Sequence, residues 1–379
     1  MAGIYLHIPF CKQPCHYCDF HFSTSLNGKG SFLSAMKMEI SLQKNYLENA
    51  QISTIYFGGG TPSQLSYDEL MRIFDQLNRH HSITENAEIT LEANPDDLSG
   101  SYLNELKRTP MNRLSIGIQS FYDEELKWMN RAHNSREAIE AVKIAKGEGF
   151  QNISIDLIYG IPSLTREKWV KNLELALSLN VQHISAYCLT VEARTALADF
   201  IKKGKTKNVD EVQAAEHFKI LIDKLTANNF TQYEISNFSK KGFISKHNSN
   251  YWLGEKYLGL GPSAHSFDGK SRQWNISNNL KYIRALEKNE LSFEKEILSL
   301  GDSYNEYIMT SLRTMWGVDL EQVKNRFTES KLLHLQNEIK KHIDSGSVTN
   351  TDNKLLLTSK GKLLADKITS DLFITAKTH

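Results

Sequence analysis

The chain is expected to be an α/β protein: a partial (β/α)6 barrel followed by a smaller, mainly helical C-terminal domain. Two observations predict it. Between residues 4 and 189, six short runs rich in Ile, Leu and aromatic residues alternate with amphipathic stretches, the pattern of a parallel sheet with helical crossovers. The length, 379 residues, exceeds the roughly 100–200 of an ordinary domain, which leaves room for a second one. Composition narrows the class further. Hydrophobic residues at 40% and charged residues at 23% are globular values, and Gly 21 with Pro 7 excludes collagen-like and low-complexity chains. Lys+Arg 45 against Asp+Glu 44 gives a net charge of +1, so no global field draws the chain to nucleic acid or to an anionic membrane.

The expected strands are 4–8, 54–57, 88–92, 113–118, 153–158 and 183–189, each bounded by turn residues. Helices are expected over 31–49, 66–80, 99–108, 135–148 and 165–179. The fourth illustrates the reasoning. Ser135 can cap it, Ala138, Val142 and Ala145 share one face, and Gly147 and Gly149 mark its end. A full eight-stranded barrel would need two more repeats, and after Leu189 the pattern turns irregular. A helix near 210–229 precedes a Gly- and aromatic-rich stretch, 230–274. From about residue 280 the chain is helix-dominated and Lys-rich, and 346–371 reads as two short strands around Asp352–Asn353 followed by a helix, a winged-helix-like shape. Mixed charge there argues against nucleic-acid binding. The expected boundaries are 1–205 for the barrel, 206–280 for an extension completing its side, and 281–379 for the C-terminal domain. The N-terminus MAGIYLHIPF lacks the basic region, long apolar core and cleavage site of a signal peptide, and no stretch matches a spanning helix. A cytoplasmic protein is expected.

Cys11, Cys15 and Cys18 fall within eight residues, directly after the first strand, and Cys188 stands apart. A disulfide scaffold would spread its cysteines to close long loops. Three thiolates on one loop at the C-terminal end of a strand instead suggest a metal centre, since that edge is where α/β proteins bind ligands. They can hold three irons of a 4Fe–4S cluster, which normally takes four cysteines, so one iron would stay open to a ligand. A structural zinc site with His16 completing a Cys₃His set is the alternative. On the same rim, Gly58–Gly59–Gly60–Thr61 ends the second strand and lets backbone approach a polar ligand closely. Cys188 reads as an inert buried thiol.

The C-x₃-C-x₂-C spacing, with Tyr17 before its last cysteine, and the Gly58–Gly60 run resemble the radical S-adenosylmethionine (SAM) superfamily. The strings YLHIPFC, YCDF, YFGGGTPS, LEANPD, LSIGIQSF and DLIYGIP narrow the resemblance to the oxygen-independent coproporphyrinogen III oxidase-like family and its haem-chaperone branch. It implies a radical SAM barrel with Cys11, Cys15 and Cys18 on a 4Fe–4S cluster. It also implies SAM contacts from Tyr5, Tyr17, Gly59, Gly60, Thr61, Glu92, Gln119, Arg131 and Asp156, with Thr190 a weaker candidate. Each has a physical warrant: a carboxylate at Glu92 for the SAM ammonium, a guanidinium fork at Arg131 for the SAM carboxylate, and a buried acid at Asp156 that needs a partner.

Two departures point away from porphyrinogen oxidation. The oxidase carries a further cysteine where this chain has Phe20, and a longer arm before its first strand. The chaperone branch shares the Cys-Asp-Phe form and a later H-N-x-x-Y-W motif, here His247-Asn248-Ser249-Asn250-Tyr251-Trp252. The resemblance therefore implies a chaperone that binds haem and passes it to acceptor haemoproteins, with oxidative decarboxylation of coproporphyrinogen as the alternative. His247 is the expected axial haem ligand and His265 a second candidate. Haem and the acceptors are the expected partners. A flavodoxin or ferredoxin would supply electrons if SAM is cleaved, and acceptors would bring any peripheral membrane contact.

Overall fold

The computed structural model describes residues 1–374, so positions 375–379 of the expected C-terminal domain lie outside the described residues. Six strands form in the expected places: β1 (Ala2–Ile8), β2 (Ile52–Gly59), β3 (Ile83–Ala93), β4 (Arg113–Gln119), β5 (Asn152–Tyr159) and β6 (His183–Cys188). They pair in parallel in chain order. The crossovers carry α1 (Lys29–Leu42), α2 (Tyr67–His80), α3 (Gly100–Leu106), α4 (Asp123–Trp128), α5 (Ser135–Gly147) and α6 (Arg166–Ser178). One cap differs from expectation. Asn134, not Ser135, caps α5: its side chain accepts from the Glu137 amide, and the Glu137 carboxylate accepts from the Asn134 amide. That box needs an acid three residues on, which Asn134 has and Ser135, facing Ala138, lacks.

Over most of their length the strands alternate. Ile4, Leu6, Ile8, Ile55, Phe57, Ile89, Leu91, Leu114, Ile116, Ile153 and Ile155 are buried in the large core. The intervening positions are polar or aromatic: Tyr5 and His7 on β1, Thr54 and Tyr56 on β2, Glu88, Thr90 and Glu92 on β3, Arg113 and Ser115 on β4, Ser154 and Asp156 on β5. Because side chains on a strand alternate between faces, one face of the sheet packs on the core and the other is polar. Interstrand pairs such as Tyr5 with Tyr56 and Glu92 with Ser115 align that polar face across the sheet.

The irregular stretch does not supply a seventh and eighth βα repeat. After α7 (Ala196–Lys202) and α8 (Glu211–Ala227), the hairpin β7 (Thr231–Glu234) and β8 (Asn237–Ser239) adds antiparallel to β6. Then α9 (Lys246–Trp252) leads to β9 (Lys256–Leu260), which pairs parallel to β1 at the far edge. The antiparallel strands β10 (His265–Phe267) and β11 (Ser271–Asn275) follow, with α10 (Asn279–Glu287) before β12 (Phe293–Ile297). The result is an open twelve-stranded sheet whose edges are β12 and β7. Glu39 of α1 ties this extension down: its buried carboxylate accepts from the Gly261 amide (2.7 Å), Asn275 Nδ2 (2.5 Å) and the Tyr282 hydroxyl (2.6 Å).

A second core begins at Tyr304. It is built from α11 (Leu300–Leu312), α12 (Leu320–Arg326) and α13 (Glu329–Asp344) on a three-stranded sheet, with α14 (Ser359–Lys362) and α15 (Ala365–Asp371) closing it. Its strands are β13 (Val318–Asp319), β14 (Val348–Thr351) and β15 (Lys354–Leu357). Asp352 and Asn353 both take positive φ (51° and 61°), the geometry of a tight two-residue hairpin. This domain docks on the β7 edge, where the Ile235 amide donates to Arg313 O, the Met315 amide donates to Tyr233 O, and Arg313 lies 3.5 Å from Glu234. No helix among the described residues is long and apolar enough to cross a membrane.

Candidate cofactor site

The cysteine loop leaves β1 and is pinned from three sides. The Gly60 and Thr61 amides donate to Ile8 O and Phe10 O (2.8 and 2.7 Å), binding the glycine loop to the loop's base. The Cys11 amide donates to Ser23 O. From the third side, residues 128–131 clamp it: Gln13 donates to Asn130 O (2.9 Å), Asn130 donates to Pro14 O (2.6 Å), and the His16 amide donates to Met129 O. The glycines are needed for this closeness. A Cβ on Gly60 would lie 2.7–2.8 Å from the backbone of Ile8 and Phe10, and Gly59 (φ 103°) packs against the His7 ring.

A cavity of about 430 Å³ opens at the C-terminal ends of β2 to β6, and Cys11, Cys15 and Cys18 all line it. Tyr17, Gly59, Gly60, Thr61, Glu92, Gln119, Arg131 and Asp156 line it too, so eleven of the thirteen expected site residues are brought together. Thr190 and Cys188 are on its wall as well. Cys188, expected to be a buried spectator, therefore faces the site.

The charged groups of the cavity are held in place by neutral partners. The Glu92 carboxylate accepts from the Tyr56 hydroxyl (2.8 Å) and the Gly59 amide (3.2 Å). Burial, with Asp156 nearby, pushes its pKa up to about 7 despite those bonds. Asp156 is also raised by burial, against bonds from Ser185 and Ser115. The Arg131 guanidinium donates from Nη1 to Cys15 Sγ (3.3 Å) and from Nη2 to Asn94 Oδ1 (2.7 Å) and Gly117 O (2.9 Å), while its buried Nε has no partner among the described residues. Gln119 takes a left-handed backbone, φ 67°, a strained state that bulky residues hold only where the surroundings enforce it. Burial pushes the Cys11 thiol up, and the Cys18 thiol up to about 12, so loading a metal centre must displace protons.

These residues fit a 4Fe–4S cluster with a zwitterionic ligand. Cys11, Cys15 and Cys18 stand around one common cavity. His16, the fourth ligand of the zinc alternative, does not line this cavity: its Nδ1 bonds Trp128 O (2.8 Å) and its ring packs edge-on against Phe200. A buried, incompletely bonded guanidinium and a carboxylate supply the two opposite charges that an amino acid moiety carries.

Two expected contacts are not part of this cavity. Tyr5 lies on the polar sheet face beneath it, stacked on Tyr56. His247, expected as an axial ligand, is only 2% exposed. Its Nδ1 bonds Thr54 Oγ1 (2.8 Å), its Nε2 bonds the Tyr251 hydroxyl (2.9 Å), and its amide donates to Glu88. Both ring nitrogens are thus committed, because a neutral imidazole has one donor and one acceptor. Asn94, Ser115, Gly117 and Tyr187 line the cavity without having been singled out. The alternation of polar with apolar residues along β4 and β6 was the available signal for Ser115, Gly117 and Tyr187.

Comparison with known proteins agrees with this geometry. The radical SAM superfamily model matches residues 5–176, and the HemN C-terminal domain model matches 298–364. The heme chaperone HemW of Bacillus subtilis is 33% identical over 97% of this chain and 98% of its own length. That of Mycobacterium tuberculosis is 31% identical over 98% and 94%. The solved coproporphyrinogen III oxidase (HemN) of Escherichia coli, described as a radical SAM enzyme, shares the fold: TM-score 0.84 at 22% identity, covering 98% of this chain and 90% of that one. With a third of its residues shared end to end, the chain belongs to the family of HemW heme chaperones within the radical SAM superfamily.

Proposed function

We propose that the protein binds haem and passes it to acceptor haemoproteins, with Cys11, Cys15 and Cys18 holding a 4Fe–4S cluster and SAM seated on the rim beside it. The observation that carries this reading is the end-to-end likeness to heme chaperones at 33% identity, against a likeness to the oxidase in fold alone. The site's own chemistry supports it. Phe20 stands two residues after Cys18, 66% exposed, where the oxidase-like resemblance calls for a thiol.

In this reading Glu92 receives the SAM ammonium, Arg131 the SAM carboxylate, and Asp156 and Gln119 the ribose. Gly59, Gly60 and Thr61 present backbone groups to the amino acid moiety, and Tyr17 flanks the cluster loop. When bound, the cluster would supply an electron-accepting centre and SAM a sulfonium to be reduced. The chain's part is to hold the ligand's charges at fixed atoms, with Glu92 fixed by Tyr56 and Gly59 and Arg131 by Asn94 and Gly117. His247 is left out of the haem site because both of its nitrogens are taken. A flavodoxin or ferredoxin as electron donor, and membrane contact through acceptors, belong to the same proposal.

Anaerobically reconstituted protein tests it. Stoichiometric haem uptake without consumption of coproporphyrinogen III is expected, and the cluster's visible absorbance should vanish in Cys15→Ala. Turnover of coproporphyrinogen III would overturn the chaperone reading; colour and iron retained in Cys15→Ala would overturn the cluster assignment.

A further inference from the structure

A second cavity, of about 540 Å³, shares Asp19, Phe20 and Phe22 with the cysteine cavity as a common wall. Its size falls within the range of small-molecule sites. The rest of its lining is dominated by aromatic rings, among them Tyr5, Tyr251 and Tyr257, and by three histidines, His7, His21 and His265. The three serve different ends. His7 is spoken for at both nitrogens, by the Tyr5 hydroxyl (3.3 Å) and His21 O (2.8 Å). His21 Nε2 is held by Asn279 Oδ1 at 2.7 Å.

His265 differs. It begins β10 with an exposed side chain, and its ring lies nearly parallel to Trp274, centroids 6.1 Å apart at 27°. Among the described residues neither of its nitrogens has a hydrogen-bond partner. Stacking thus fixes the plane of the imidazole without using its lone pair.

We propose that this cavity takes the planar metalloporphyrin, with His265 as an axial ligand to its iron and the tyrosine and phenylalanine rings against the macrocycle. The proposal rests on the haem-chaperone reading and assigns that reading its site. A free, stacked imidazole is the ligand haem iron takes, and flat aromatic walls suit a π-face. The position also suits a cargo that must leave. His265 stands at an exposed edge, whereas His247 could ligate only by surrendering its bonds to Thr54 or Tyr251.

Full-length protein titrated anaerobically with haemin, followed through the Soret band, tests the site. Wild type should saturate near one equivalent with a histidine-ligated spectrum. His265→Ala should weaken binding at least tenfold, with added imidazole restoring the spectrum. His265→Met should keep binding and shift the Soret and EPR signals, a ligand swap that a merely structural residue would not produce. Ser277→Trp, at an exposed position on the lining, should block uptake with circular dichroism and cluster absorbance unchanged. His247→Gln should retain the wild-type Soret band. Wild-type spectra and affinities in His265→Ala and Ser277→Trp, or loss of the band in folded His247→Gln, would overturn this site and leave the chaperone reading intact. A wild type that takes up no haem would overturn the reading itself.

Discussion

Glu92 carries a cost that the empty fold must bear. Burial lifts its carboxyl to about 7 from the ordinary 4.5, with the Tyr56 hydroxyl and Gly59 amide unable to hold it down and Asp156 adding repulsion. The folded state therefore binds a proton that the unfolded chain has lost, and this contribution to stability falls as pH rises from about 4.5 through about 7. Glu92→Gln keeps an acceptor for Gly59 but no charge. At pH 8 the ligand-free variant should be more stable than wild type by on the order of 1 kcal/mol, with the gap closing near pH 5, as urea melts at the two values would measure. The same variant should lose most of its SAM affinity by calorimetry. Greater stability with undiminished SAM binding would remove Glu92 from the ligand. The residue was legible in sequence as an acid ending a buried strand. The Thr54 and Tyr251 partners of His247 were not legible, because a motif gives composition and spacing and not what neighbouring elements supply.

At the scale of elements, the junction of β1 and β2 with the two loops that follow them is the tightest part of the site. Gly60→Ala would place a methyl 2.7–2.8 Å from the Ile8 and Phe10 backbone, with no flexible side chain to move aside. A loss of about 1–3 kcal/mol is expected, together with loss of cluster colour after reconstitution, because the displaced backbone is the one that positions Cys11. Unchanged melting and full colour would show the loops free to separate. The six parallel strands were readable from sequence to within a few residues because each carries a buried apolar alternation, and the first five end at or beside Gly, Pro, Gln or Asn. The later strands were not. β12 reads Phe-Glu-Lys-Glu-Ile and is exposed at every residue, so it has no inward face to impose a pattern, and its charges suit an open edge. β9 joins β1 across some 250 residues of chain, a pairing that no local signal encodes.

Across the whole molecule, buried titratable groups set a pH window. His7 is held down to about 4 and His133 and His247 to about 3, chiefly by burial, and His183 is lowered as well. As pH falls below about 6.5 the unfolded chain gains protons these sites refuse, and stability is lost. Glu92, Glu39 and Asp156, raised by burial, act oppositely. Once pH passes below about 4.5, however, the glutamates are protonated in both states and drop out. Chemical melts should therefore show a shallow dependence between pH 7 and 5 and a steep fall below about 4.5. A stability constant down to pH 3.5 would mean that the histidines are solvated. The composition change near residue 280 was legible, but α10 and β12 still belong to the first core and sheet, and the second core begins only at Tyr304. The point of attachment was not, since it rests on backbone bonds between Tyr233 or Ile235 and residues 313–315.

The wall shared by the two cavities makes their occupants neighbours. Residues 19–22 follow directly on Cys18, and His21 is moored to Asn279 at the segment's other end. Any ligand that shifts this partition in one chamber reshapes the other, and such linkage is reciprocal: the factor by which the first alters the second's affinity equals the factor returned. On the proposed assignment, a cofactor so placed would act as a latch. Loading or emptying the rim would decide how firmly the pigment is kept, and the pigment would report that state back.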